Sequence, residues 1–108
     1  MLVNWYIKKV REFMKKCFNI ANNQIVVIED NKKMFFSYGS YIASYEYNDI
    51  DNTYSLTLTS LYDYSRTTSK YLKMFLNEYC NFYYDNTNEL RKMIQKGGCD
   101  NVTIQVVS

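Results

Sequence analysis

The sequence predicts an α+β fold: an antiparallel sheet of about four to five strands, an N-terminal helix and two later helices, in the order α-β-β-β-β-α-α-β. Three observations carry this expectation. Apolar residues recur with a helical period near the start and again after residue 68. They alternate with period two between residues 24 and 61 and again from 102 to 106. Proline is absent, which paired strands favour because each residue can then donate to the ladder. At 108 residues, 47% hydrophobic and 22% charged, the chain reads as one globular domain over residues 1–108.

The first predicted helix runs from about Leu2 to Ile20. Tyr6, Val10, Phe13, Met14 and Cys17 make one apolar stripe, and Lys8, Lys9, Arg11, Glu12, Lys15 and Lys16 occupy the rest. The asparagines of "ANNQ" supply its C-terminal stop. Residues 24–29 and 33–38 read as strands flanking "DNK", a tight hairpin loop. Gly39 then marks a bulge or a sharp bend. Beyond it, Tyr41, Ala43, Tyr45 and Tyr47 alternate with Ser40, Ile42, Ser44 and Glu46. Across the "NDIDN" turn, Tyr54, Leu56 and Leu58 alternate with Ser55, Thr57 and Thr59, a half-buried strand.

Leu72, Phe75, Leu76, Tyr79 and Tyr83 predict a helix over about 68–83. Asn86 with Glu89 three residues on starts a third helix in the manner of a capping box, and Gly97-Gly98 end it. Val102, Ile104 and Val106 predict the last strand.

Several chemistries are disfavoured. The chain has no histidine, which removes the usual general base and metal ligand at neutral pH. Cys17, Cys80 and Cys99 are odd in number and widely spaced, so they point to core packing and not to a disulfide framework or a zinc site. Three glycines cannot build a phosphate loop. Asp49 and Asp51 could pair as acids, but they sit in an Asn/Asp-rich turn, where turn chemistry explains them. The expectation is a non-enzymatic protein with no cofactor, no bound metal and no catalytic residues. No apolar run reaches the roughly 18 residues of a membrane span, and charges interrupt the opening stretch where a signal peptide needs apolar residues. A cytosolic protein is expected.

Net charge is +2 but unevenly placed: +4 over residues 1–36, −4 over 37–63 and +2 over 64–108. The basic excess at the N-terminal end suits a polyanion-binding face on Lys8, Lys9, Arg11, Lys15 and Lys16, although a solvated helix face explains the same residues. Twelve tyrosines fit an AT-rich coding sequence and also an interaction surface, since tyrosine combines area with a polar tip.

The densest stretch is "YDYSRTTSKYLKMFL", residues 62–76. Ser65, Thr67, Thr68 and Ser69 sit where strand becomes helix, and one hydroxyl suffices as an N-cap. Leu72, Phe75 and Leu76 belong to the core. Tyr62, Tyr64, Arg66 and Lys70 are left over, two rings and two cations beside one helix end, and they are the candidate contact residues.

"SYGSYIASY" (37–45) followed by this stretch resembles a family of small uncharacterised proteins from phages and prophages of low-GC bacteria. The matching positions are Ser37, Tyr38, Ser40, Ile42 and Ala43, then Tyr62, Tyr64, Ser65, Thr67, Thr68, Ser69, Lys70, Leu72, Phe75 and Leu76. Tyr71 departs from the family, which often has histidine there. The resemblance implies a phage origin; many phage proteins of this size inhibit host defence by blocking a surface, which suits a chain without a catalytic set. The expected function is inhibition of a bacterial defence protein, such as a CRISPR effector, by occlusion of its surface in the host cytosol. The alternative is a small nucleic-acid binder using the basic first helix and exposed tyrosines.

Overall fold

The computed structural model describes residues 16–108. Its centre is a seven-stranded sheet in spatial order β1-β2-β3-β4-β5-β7-β6. The strands are β1 (Lys16–Ala21), β2 (Gln24–Glu29), β3 (Lys32–Ser37), β4 (Ser40–Asn48), β5 (Thr53–Thr59), β6 (Gly98–Cys99) and β7 (Val102–Val107). Helix α1 (Arg66–Met74) runs directly into a π-helical turn (Phe75–Tyr79), and α2 (Thr87–Gln95) follows.

This architecture corrects the expected fold class in three respects. The sheet has seven strands, not four to five. It is mixed: β7 pairs with β5 in parallel, Leu56 opposite Ile104 and Leu58 opposite Val106. And the last part of the predicted first helix is strand: Cys17, Phe18 and Asn19 pair with Val27, Val26 and Ile25. Residues 2–15 of that prediction lie outside the described residues. The reason is pairing. Without β1, β2 would present an unpaired row of backbone donors and acceptors. Asn22-Asn23 turn the chain straight back along it, with Asn23 at φ 62°. The asparagine signal is therefore a hairpin turn, not a helix stop.

The next turns follow the sequence more closely. Asp30-Asn31 join β2 to β3, with Glu29 opposite Lys32. Tyr38-Gly39 join β3 to β4, and both have positive φ (51° and 79°), the backbone of a tight two-residue hairpin turn. Gly39 is thus the bend itself. The bulge is three residues further on: Phe35 pairs with Ala43 and Phe36 with Tyr41, so Ile42 is the extra residue. This explains how Ile42 and Ala43 are both buried, which strict alternation forbids.

One face of the sheet carries Val26, Phe35, Ala43, Tyr45, Leu56, Leu58, Val102 and Ile104, and the helices cover it with Leu72, Phe75, Leu76 and Leu90. Phe35 stacks on Phe75 with ring centroids 5.7 Å apart, both fully buried. The π-helical turn and Asn81 (φ 53°) end the helical segment at Cys80, short of the predicted residue 83. The phase of the stripe changes there. Phe82 and Tyr84 are buried and Tyr83 is 65% exposed, the reverse of the helical expectation for Tyr83. Cys80 packs in the core as expected, Cys99 is partly buried, and Cys17 is exposed on the edge strand β1, contrary to its expected core role.

Candidate functional site: a tyrosine-rimmed pocket beside a cationic cleft

Ser65 is the N-cap of α1: its Oγ accepts from the Thr68 backbone N–H at 3.1 Å. Its hydroxyl also lies 3.1 Å from Thr68 Oγ1. Thr68, 2% exposed, in turn meets Ser37 Oγ at 3.1 Å. This hydroxyl chain joins the two stretches of the motif through Ser37 and Thr68, residues 31 positions apart. Ser37's register partner, Gln24, is fully buried, and neither of its side-chain amide atoms has a hydrogen-bond partner among the described residues.

Above this polar floor is a partly enclosed pocket of about 460 Å³, lined by Ser37, Tyr38, Ser40, Ile42, Leu61, Tyr64 and Thr68. Four of these come from the β3–β4 hairpin and three from the β5–α1 junction. The bulge aims Ile42 into its wall, and the tight turn raises Tyr38 on its rim. Tyr38, Leu61 and Tyr64 are 60%, 37% and 77% exposed, three large side chains offered to solvent around one opening.

Tyr64 also borders a second, wider cleft of about 540 Å³ between α1 and α2, lined among others by Asp63, Arg66, Lys70, Lys73, Tyr84 and Arg91. Arg66, Lys70 and Lys73 fall at i, i+4 and i+7, one face of α1. Lys73 donates to the Asp85 carbonyl at 2.8 Å. Arg91 donates to Asp63 Oδ2 at 2.9 Å and to Asn88 Oδ1 at 3.1 Å, and its pKa is raised by Asp63 and by Tyr62. Among the described residues no carboxylate pairs with Arg66 or Lys70; Lys70 Nζ lies 5.3 Å from the centroid of the Tyr71 ring.

The four candidate contact residues are therefore divided. Tyr64, Arg66 and Lys70 border one cleft, whereas Tyr62 packs partly buried against the core, its N–H turned back onto the Thr59 carbonyl. Of the basic face, Lys8, Lys9, Arg11 and Lys15 lie outside the described residues, and Lys16 is exposed on β1. Leu61, Lys73 and Arg91 are lining residues that the sequence reading misses. Lys73 is legible from its spacing to Arg66 and Lys70; Arg91 comes from another helix and carries no local signal.

Elsewhere, the Asp49/Asp51 region performs turn chemistry: Asn48 Oδ1 accepts from Ile50 N–H and Asp51 Oδ1 from Thr53 N–H. Among the described residues no cluster of three metal-ligating side chains occurs, and no helix is long and apolar enough to cross a membrane. Burial pushes the Cys80 thiol up to about 12, against a smaller opposing effect of Lys33, so it is held neutral.

Fold and site together define a strand-rich domain, one mixed sheet with two helices on its face, that carries a two-part surface site at one helix start. Residues 4–96, which include every residue lining the pocket and the cleft, match a family of unknown function, DUF8033, and the chain belongs to that family. No curated protein and no solved structure matches the chain.

Proposed function

We propose that this protein acts by binding, and that its contact surface is the rim formed by Tyr38, Leu61 and Tyr64, with Arg66 and Lys70 beside it. One observation carries the reading. Tyr38 stands at φ 51°, where asparagine or glycine would fit with less strain and a bulky side chain is an outlier. Yet its ring serves no core purpose, being 60% exposed at a pocket mouth. A strained, exposed aromatic beside two further exposed apolar side chains is the composition of an interface centre, and not of a fold requirement. The resemblance to phage and prophage proteins gives the partner its class: a bacterial defence protein in the host cytosol, such as a CRISPR effector, inhibited by occlusion of its surface without turnover.

The test is to express the chain in a bacterium with an active defence system and to measure plating of a restricted phage. The native chain should raise plating by orders of magnitude. Tyr38→Asn should abolish that effect while leaving the fold as stable or about 1 kcal/mol more stable, because the left-handed backbone is relieved. Unchanged restriction with the native chain across defence systems, or full activity of a Tyr38→Asn, Tyr64→Ala double variant, would count against the reading.

A further inference from the structure

We infer that the cleft between α1 and α2 is a site for a phosphate group, adjoining the protein-binding rim proposed above and sharing Tyr64, Arg66 and Lys70 with it. Four cations, Arg66, Lys70, Lys73 and Arg91, border one open cleft, and among the described residues Asp63 is the single carboxylate that lines it. Lys73 and Arg91 are anchored, to the Asp85 carbonyl and to Asp63 and Asn88, so two of the four are already positioned without the ligand. Arg66 and Lys70 have no carboxylate partner among the described residues and retain their donors. Asp63 offsets Arg91, so four cations less one carboxylate leave a net +3 on the described lining, and like charges gathered there repel one another unless an anion neutralises them.

The chemistry of the donors selects the ligand class. Guanidinium groups present paired N–H donors that match phosphate oxygens, and ammonium groups add point charge. The caps of α1 and α2, Ser65 and Asn86, border the same cleft, so the amino ends of both helices add a smaller favourable field. Tyr64, 77% exposed on the wall shared with the neighbouring pocket, offers a flat face to a planar group carried on the phosphate. The same phosphate chemistry could arrive on a free nucleotide or on a nucleic-acid strand.

The experiment is an amide-resolved NMR titration of the full chain with four probes in parallel: pyrophosphate, adenosine diphosphate, a short oligothymidine and citrate. Pyrophosphate should shift the amides of residues 64–70 and 86–91, with saturation below about 10 mM. Arg66→Glu with Lys70→Glu, both on exposed side chains and therefore compatible with the fold, should weaken it about tenfold or more. Adenosine diphosphate binding more tightly than pyrophosphate identifies a free nucleotide as the carrier; oligothymidine binding more tightly still, with affinity falling steeply in salt, identifies a strand. No shift with any phosphate probe would overturn the inference. So would citrate binding as tightly as pyrophosphate, or unaltered binding by the double variant.

Discussion

Ser37 Oγ lies 3.1 Å from Thr68 Oγ1, a buried contact between the end of β3 and the first turn of α1. Neither residue is apolar, yet they are 3% and 2% exposed. The pair pins the helix start onto the β3–β4 hairpin and so sets the distance between Tyr38 and Tyr64 across the pocket.

Thr68→Val keeps the shape of the side chain but strips Ser37 and Ser65 of a hydroxyl partner. It should destabilise the fold by about 1–3 kcal/mol, since a buried hydroxyl left unpaired loses its solvation without compensation. Ser37→Ala should cost less, because it removes the group that would otherwise be orphaned. Urea unfolding of both single variants and the double variant measures this, and a coupling energy near zero would mean that the contact is not formed in solution.

Gly98 illustrates a different constraint. A Cβ placed there would lie 2.1 Å from the Val102 carbonyl oxygen, in backbone that cannot give way. Its φ of 138° is also one that L side chains rarely adopt. Gly98→Ala should therefore disrupt the β6–β7 hairpin and lower the melting temperature by several degrees or more. Gly97→Asn is the informative contrast: nothing lies within 4 Å of a Cβ at Gly97, and asparagine tolerates φ 78°, so the loss should be small.

Alkaline pH should weaken the fold. Burial raises the Cys80 thiol from 9.0 to about 12 and, first through burial and then through its neighbours Cys80, Tyr54 and Cys99, the Tyr45 hydroxyl from 10.0 to about 12. Tyr84 is pushed up by burial as well. In each case the folded state holds the proton longer than the unfolded chain. The stability is fully present below about pH 9, and it is lost as pH rises from about 9 towards about 12. The denaturation midpoint should fall across that window, and less steeply in Cys80→Ala. At pH 8 a thiol reagent should label exposed Cys17 at once and Cys80 only after unfolding.

Local features are legible in the chain itself. The Asn86 cap with Glu89, the Gly97 stop, the turns at 30–31 and 38–39, the alternation of Leu56 and Leu58, and the core roles of Leu72, Phe75 and Leu76 all depend on neighbours within a few residues, and each stands at, or one residue from, the place the sequence gives it. Arg66 and Lys70 stand at the start of α1, where the sequence places them, although the helix begins at Arg66 and not at the predicted 68. Tertiary structure decided the rest. Residues 16–21 share a helical stripe with what precedes them, but the open edge of β2 claims them as a strand. Period two marks Val102–Val107 as a strand without saying whether it runs with or against its neighbour; the crossover through α1 and α2 returns it parallel to β5. Arg91 joins the cleft, and Ser37 meets Thr68, only because packing on the sheet brings distant segments together. Sequence periodicity encodes which face a residue shows to a neighbouring layer. It does not encode which segment that layer comes from, because that choice depends on backbone edges and apolar faces that exist only once the other elements have formed.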